Sequence, residues 1–177
     1  MRTARPEDAT AIAALWTEAY VTLGGGGRIE PYADADFERT AARGEVFVAE
    51  RDGVVTGVVA LLPPLTSVAR CIDHTRMCRI DRTGRAVARA EEAELARLAV
   101  AADARGAGIG RALTELCGER ARAAGWEAIA LWSRPYQHEA HRLYESLGYE
   151  RAPERDTVDE TGHGRLVFRI TLGGGKV

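Results

Sequence analysis

The sequence has no excess of charge of either sign. Its 177 residues include 24 lysines and arginines against 26 aspartates and glutamates, which leaves a formal net charge of -2. A protein whose main partner is a nucleic acid usually carries a strongly basic face. The balanced composition therefore argues against nucleic acid as the main partner.

Long apolar runs and export signals are also missing. No stretch approaches the roughly 18 consecutive apolar residues of a membrane-spanning helix. The basic residues in the first ten positions are not followed by an apolar run, as they would be in a secretory signal peptide. These absences predict no membrane partner and a cytoplasmic location.

Cysteine is scarce, with three residues in the chain. Disulfides are not expected in a chain that lacks export signals. Cys71, His74 and Cys78 lie close together in the sequence, but a fourth ligand nearby is missing and their spacing fits no zinc pattern. The sequence therefore predicts no metal site.

The composition that is present indicates a soluble globular protein. Hydrophobic residues make up 46% of the chain and charged residues 28%, which is the usual balance for such proteins. A chain of this length suits one domain with its own core. We expect residues 1–172 to form that domain and residues 173–177, which are rich in glycine, to form a disordered tail.

Hydrophobic periodicity and turn residues predict an alternation of strands and helices. Strands are expected at 2–4, 46–50, 54–62, 94–101, 128–132, 149–155 and 165–172. Helices are expected at 6–20, 33–42, 110–124 and 138–147, and Gly125 and Gly148 end the last two. The segment 65–92 is the least regular part of the chain.

A glycine-rich turn, RGAGIG at residues 105–110, lies between a predicted strand and a predicted helix. Glycines allow positive φ and close approach to a ligand, and N–H groups at a helix N-terminus bind phosphate oxygens. The spacing is not the dinucleotide fingerprint, because position 111 is arginine, and no Walker lysine follows. The turn predicts a pyrophosphate site, with tight strand–helix packing as the alternative.

Two motifs resemble the GNAT acetyltransferase superfamily. The first is ELARLAV at residues 94–100 followed by the glycine turn, in which Arg105, Gly108 and Gly110 match the family's acetyl-CoA signature. The second is AHRLYESLGY at residues 140–149. The best matches cover residues 94–150, and the order of the predicted elements fits the family throughout the chain.

The resemblance implies an α/β (α+β) fold. Its single mixed sheet is mostly antiparallel, has about six to seven strands and is flanked by about four helices. Two splayed parallel strands within this sheet hold acetyl-CoA in the family.

The resemblance also implies acetyl-CoA as co-substrate, without a metal. The first splayed strand holds the pantetheine arm through the backbone of Leu98, Ala99 and Val100. The turn and the start of the helix bind the pyrophosphate, here through Arg105, Gly106, Ala107, Gly108, Ile109, Gly110 and Arg111. Gln137 stands where the family often has an asparagine that contacts the pantetheine arm, and glutamine can make similar hydrogen bonds from a longer stem.

Two catalytic residues follow from the resemblance. Tyr144 matches the tyrosine that contacts the cofactor and protonates the coenzyme A thiolate, although it also shares an apolar stripe with Leu143 and Leu147 and can be a core residue. Glu94 matches the position of a general base in some members. The alternative for Glu94 is a glutamate at an exposed strand start, since many members use no residue as base. His138 and His141 are further candidates.

The expected activity is transfer of an acetyl group to the primary amine of a small molecule, by direct attack in a ternary complex. A peptide or protein N-terminal acetyltransferase and a non-catalytic acyl-CoA-binding regulatory module are the alternatives. Acceptor specificity is expected in residues 24–32 and 65–92, because the cofactor half follows a shared pattern. The sequence leaves a homodimer open.

Overall fold

The computed structural model describes residues 1–22, 30–63, 88–89, 91–159 and 162–173. The predicted tail beyond Gly173 lies outside these ranges, as does the group Cys71, His74 and Cys78. Most of the two segments in which we expect acceptor specificity also lies outside them.

The described residues contain four α-helices, namely α1 Ala9–Thr17, α2 Asp34–Ala41, α3 Ile109–Ala123 and α4 His138–Ser146. A short 3₁₀ turn precedes α1, and a single turn of π-helix, Glu18–Thr22, follows it. None of these helices has the length and hydropathy that a membrane-spanning helix needs.

The described strands are β1 Arg2–Thr3, β2 Glu45–Arg51, β3 Val54–Leu62, β4 Glu92–Val100, β5 Ala128–Ser133, β6 Glu150–Arg151, β7 Thr157–Val158 and β8 Gly164–Thr171. They form one mixed sheet in the order β1-β2-β3-β4-β5-β8-β6, with β7 paired to β8. β4 and β5 are parallel, whereas the β1–β2, β2–β3, β5–β8 and β6–β8 pairs are antiparallel. The predicted fold class is confirmed.

The sheet has eight strands because the strand predicted at 149–155 is interrupted. Pro153 begins a 3₁₀ turn that separates β6 from β7. Proline has no N–H to donate to a ladder, so it ends a strand. Asp156 then receives two hydrogen bonds from the Arg151 guanidinium, at 3.0 and 2.7 Å, and one from the Val167 N–H at 2.8 Å.

The residues group into two compact units, which we describe separately. The first comprises 1–62 and 95–117, and the second comprises 63–94 and 118–177. In the first unit, α1 buries Ile12, Leu15 and Trp16, which follow the i, i+3, i+4 spacing of one helix face. They belong to the same core as Val48 and Val58 of β2 and β3. Each such large side chain contributes about 1.5–3 kcal/mol by leaving water.

The core of the second unit is built on β5 and β8. Residues Ala128 to Leu131 of β5 are buried without alternation, as expected for a strand covered on both faces. Phe168 on β8 is buried and contacts α4 through the ring of Tyr144, with 5.8 Å between the ring centroids. The predicted stops at Gly125 and Gly148 are confirmed, since both have positive φ, 77° and 85°.

Candidate active site

The glycine turn projects its backbone toward open space. Gly106 and Gly108 have φ of 78° and 81°, in the region that favours glycine. A Cβ built on either residue meets no atom within 4 Å. These two glycines therefore do not serve tight packing, and the space beside them can accept a ligand.

Tight packing at this point is provided by another glycine. A Cβ on Gly57 of β3 would lie 2.7 Å from Cγ2 of Ile109 and 3.1 Å from Cδ1 of Leu113. Gly57 thus lets the start of α3 approach β3 closely. The sequence left two roles open for the turn, space for a ligand and tight packing of strand on helix. The tight packing is made at Gly57, and the open space lies beside Gly106 and Gly108.

The turn leads directly into α3. The Gly108 carbonyl accepts a hydrogen bond from the Ala112 N–H at 3.0 Å, which makes Gly108 the N-cap of a 15-residue helix. The first N–H groups of a helix have no partner within it, and the helix dipole favours an anion there. Residues 109–111 supply these N–H groups, and they belong to the segment 105–111 for which a pyrophosphate site stays a prediction.

The Arg105 guanidinium is held against its own unit. Its Nε donates to the Val100 carbonyl at 3.1 Å, and a terminal nitrogen lies 3.3 Å from Glu18 Oε1 on the π-helical turn. These contacts close the loop between the end of β4 and α3. They position the turn and engage the Arg105 guanidinium within the chain.

The end of β4 presents backbone groups along one edge. The Ala101 N–H donates to Thr56 of β3 at 2.9 Å, so by strand alternation Leu98 and Val100 face the opposite edge. The Leu98 carbonyl accepts from the Tyr20 hydroxyl at 2.7 Å, and the Val100 carbonyl accepts from Arg105. A carbonyl has two lone pairs, so each can still accept a second hydrogen bond from a ligand.

Tyr144 lies in the second unit, inside an aromatic cluster. Its exposure is 6%, and its ring centroid is 5.8 Å from those of Tyr149 and Phe168. The ring is therefore part of the core, which is the alternative that the sequence left open for Tyr144. Packing of the ring fixes the position of the hydroxyl, the group to which the sequence assigns a catalytic role.

Glu94 is buried, with an exposure of 4%. It lies opposite Ala130 in the parallel register of β4 and β5. The position is therefore not an exposed strand start. The alternative that the sequence left open for Glu94, a solvated glutamate, does not describe this side chain.

Glu92 shares a strand face with Glu94 and forms a buried ion-pair network. Its carboxylate accepts from Arg155 at 2.8 Å, from Arg169 at 2.7 Å and from the Arg89 N–H at 2.9 Å. Burial alone would raise the pKa of Glu92, but the hydrogen bonds from Arg155 and Arg169 outweigh it and lower the pKa to about 2. This ionised carboxylate holds β4 to β8.

The side-chain oxygen of Gln137 is engaged within the chain. It accepts from the Ser133 hydroxyl and from the Arg134 N–H, both at 2.8 Å. Because a backbone N–H can only donate, the contact with Arg134 fixes this atom as the oxygen. Any contact of Gln137 with a pantetheine arm is therefore made by its NH₂ group.

The two histidines of α4 have different surroundings. His138 is exposed. His141 Nε2 lies 3.0 Å from the Arg134 carbonyl, and since a carbonyl only accepts, this nitrogen carries a proton and donates. Burial is the main cause that lowers the pKa of His141. His141 is thus a neutral group whose Nε2–H is used structurally.

Within the described ranges, no three His, Cys, Asp or Glu side chains are arranged to hold a metal ion. Cys117 is buried, and burial raises the pKa of its thiol to about 12. A thiol in this state is protonated at neutral pH and serves neither as a nucleophile nor as a metal ligand.

The fold is that of an α/β protein with a glycine turn and a helix N-terminus after the first strand of a parallel pair. The chain belongs to the acetyltransferase (GNAT) family, whose model matches residues 10–149. The resemblance seen in the two motifs is thereby confirmed, and the chain belongs to a family of acyltransferases.

Individual proteins are similar to this chain over different lengths. The N-acetyltransferase family 8 member 2 of Rattus norvegicus is 30% identical over 110 residues, which are 62% of this chain and 40% of that protein. The chain thus matches less than half of this curated relative.

Two solved structures share the fold over nearly the whole chain. An N-acetyltransferase from Staphylococcus aureus Mu50 superposes with a TM-score of 0.72 at 19% identity, covering 97% of this chain and 96% of that one. A phosphinothricin acetyltransferase from Sinorhizobium meliloti, solved with acetyl-CoA, gives a TM-score of 0.71 at 18% identity, with coverages of 99% and 90%.

Proposed function

We propose that this chain is an acetyl-CoA-dependent N-acetyltransferase that acetylates the primary amine of a small molecule. The observation that carries the proposal is the glycine turn, where Gly106 and Gly108 face open space at the N-terminus of α3. Membership of the acetyltransferase family supports acetyl transfer as the reaction, and the structure from S. meliloti contains acetyl-CoA.

The residues present fit acetyl-CoA. A side chain on Gly106 or Gly108 would fill the space that phosphate oxygens need, and residues 109–111 supply N–H groups for them. Leu98 and Val100 offer backbone groups for the amides of the pantetheine arm, whereas those of Ala99, the third residue that the resemblance names, turn toward β3 as those of Ala101 do. Bound there, acetyl-CoA supplies an acetyl group activated as a thioester.

Glu94 and Tyr144 are proposed as the two proton-transfer groups. The amine nitrogen bonds to the acetyl carbon, the carbon–sulfur bond breaks, and coenzyme A leaves as the thiolate. The Glu94 carboxylate accepts the proton that the amine loses, directly or through a water molecule. The Tyr144 hydroxyl donates a proton to the thiolate and is reprotonated from solvent. Both residues lie in the same unit and are buried.

Four further parts of the proposal rest on the sequence. A small acceptor is favoured by the long segment between β3 and β4, which can enclose a compact pocket. A cytoplasmic location stays a prediction from the sequence. A homodimer and a single domain over residues 1–172 also stay predictions from the sequence.

Thiol release from acetyl-CoA across a panel of acceptors tests the function. The panel contains small primary amines, peptides with free N-termini and a blank without amine. We expect release that depends on a small amine and exceeds release with peptides. Faster release with peptides would make the chain an N-terminal acetyltransferase. Binding of acetyl-CoA without release for any amine would make it a regulatory module.

A further inference from the structure

A pocket of about 360 Å³ opens at the β6 edge of the sheet, entirely within the second unit. Residues of β6, of the turns that flank it and of the end of β8 line this pocket. Its volume lies in the range of sites that enclose small molecules, about 300–1,000 Å³. None of the lining residues belongs to the site proposed for acetyl-CoA, so a ligand bound here would be a different molecule.

One glutamate of the pocket lacks the counter-ion that its neighbouring strand could provide. Glu150 of β6 lies directly opposite Arg169 of β8, on the same face of the sheet. Opposite charges in such positions usually attract each other across the strands. The Arg169 guanidinium instead donates from Nε to Glu92 at 2.7 Å and from Nη1 to Thr171 Oγ1 at 2.7 Å. Among the residues that the structure describes, the Glu150 carboxylate has no hydrogen-bond or ion-pair partner.

A second glutamate of this kind lines the pocket. Glu154 lies in the 3₁₀ turn Pro153–Arg155 and is exposed. The arginine beside it, Arg155, is paired with the buried Glu92 at 2.8 Å. Within the described ranges, Glu154 itself forms no ion pair or hydrogen bond through its side chain. The pocket is therefore lined by two negative charges that the described part of the chain leaves uncompensated.

Hydrogen-bond donors line the same pocket. The side chain of Arg169 is 35% exposed, and its Nη2 is neither buried nor bonded to a described residue. Thr171 is exposed, and its hydroxyl accepts from Arg169 Nη1, so it can still donate its own proton. Because this bond joins the two side chains, Nη2 and the hydroxyl lie close together. The ion pair with Glu92 holds the guanidinium in place.

We propose that this pocket binds a small zwitterion, an α-amino acid. Its ammonium group meets Glu150 and Glu154, and its carboxylate accepts from Arg169 Nη2 and the Thr171 hydroxyl. Side chains directly opposite each other on paired strands start about 5 Å apart, so one small molecule reaches both Glu150 and Arg169. A simple cation would leave the donors unused, and the two glutamates would repel a simple anion. This inference goes beyond the proposed function and does not depend on acetyl transfer.

Calorimetric titration of the full chain without acetyl-CoA tests the site. The probes are leucine, leucinamide, which lacks the carboxylate, and N-acetyl-leucine, which lacks the ammonium group. Glycine is a fourth probe, because it has no side chain that could clash. The titrations are made at about pH 6.5, where an α-amino group is protonated. We expect leucine and glycine to bind, and each leucine derivative to bind about 10- to 100-fold more weakly than leucine, the range for hydrogen bonds to charged groups.

Two variants assign each end of the ligand to its residues. Glu150→Gln removes a charge at the ammonium end, so it should weaken leucine and leucinamide about 10-fold without weakening N-acetyl-leucine. Thr171→Val removes a donor at the carboxylate end, so it should weaken leucine and N-acetyl-leucine without weakening leucinamide. Both residues are exposed, and thermal unfolding confirms that the variants fold. The control is Glu139→Gln, an exposed glutamate on α4 outside the pocket, which should bind all probes as wild type does.

Opposite selectivity of the two variants, with an unchanged control, would support the amino-acid site. The proposal is overturned if neither leucine nor glycine binds, or if leucinamide or N-acetyl-leucine binds as tightly as leucine. Binding that survives unchanged in both Glu150→Gln and Thr171→Val would also overturn it, because the ligand would then lie elsewhere. Failure of acetyl transfer to every amine would refute the proposed function and leave these binding results as they are, since no acetyl-CoA is present in the titrations.

Discussion

Replacing Gly108 by alanine tests the cofactor site with a matched control at Gly53. Both glycines have positive φ, 81° and 77°, and a Cβ on either meets no atom within 4 Å. Alanine should therefore cost about the same at both positions, roughly 1–2 kcal/mol for a side chain in the left-handed region. For a chain of this size that is a fall of about 2–8 °C in Tm.

The two variants should differ in their affinity for acetyl-CoA. At Gly108 the added methyl group occupies space that the phosphates need and disturbs hydrogen bonds to a charged group, which contribute about 1.5–3 kcal/mol each. We expect the Kd of Gly108→Ala to rise by about 10- to 100-fold. Gly53 lies in the turn between β2 and β3, and its variant should bind as wild type does.

Isothermal titration calorimetry with acetyl-CoA measures both affinities, and differential scanning fluorimetry measures both Tm values. Equal Tm losses with weaker binding in Gly108→Ala alone would support the site. The reasoning is refuted if Gly108→Ala binds acetyl-CoA as tightly as Gly53→Ala. It is also refuted if both variants lose affinity equally, because the loss then follows destabilisation.

Three other substitutions test single residues. Tyr144→Phe should lower kcat by about 10²–10⁴-fold with little change in Tm, because the ring packing is kept; an unchanged kcat would make Tyr144 a core residue only. Glu94→Gln should lower kcat by about 10²–10⁴-fold, the usual contribution of a general base, and an unchanged kcat would exclude Glu94 as base. Glu92→Gln should lower the free energy of unfolding at pH 7 by about 3–5 kcal/mol, because Arg155 and Arg169 lose the buried negative charge with which they form ion pairs. The folded-state pKa of Glu92 is about 2 against an ordinary 4.5, so its ionised form stabilises the fold above pH 4.5. This stabilisation, about 3 kcal/mol, should be lost as the pH falls from 4.5 through 2, which urea unfolding across that range measures.

Much of the fold follows from local sequence signals. The i, i+3, i+4 spacing of Ile12, Leu15 and Trp16 defines the buried face of α1, and the stops at Gly125 and Gly148 require positive φ. The need for positive φ also makes the glycine turn at residues 105–110 visible in the sequence. Positive φ without a side chain is a local property that a sequence displays directly.

The remaining features depend on contacts between distant residues. Glu92 is paired with Arg155 and Arg169, which are 63 and 77 positions away, so nothing near Glu92 in the sequence marks it. Arg97 of β4 has a φ of 55°, which is rare for a residue with a side chain, and its carbonyl accepts a hydrogen bond from Trp16, 81 positions earlier. Local propensity favours a regular strand there, and tertiary hydrogen bonds override it.

Details of the predicted cofactor site depend on tertiary contacts in the same way. The sequence placed Arg105 and Gln137 at the cofactor, but it does not reveal which of their atoms are already engaged. The Arg105 guanidinium binds Val100 and Glu18, and the Gln137 oxygen binds Ser133 and Arg134. These contacts leave the turn backbone and the Gln137 NH₂ group for a ligand.

The central claim is that the acetyl group passes from acetyl-CoA directly to an amine. The most direct measurement follows an isotopically labelled acetyl group by mass spectrometry of the acceptor and of the intact protein during turnover. The account predicts label in the amide of the product, one free coenzyme A for each product molecule, and no labelled protein. Labelled protein that forms without acceptor and disappears when the amine is added would contradict direct transfer, and unlabelled acceptors throughout would contradict the activity itself.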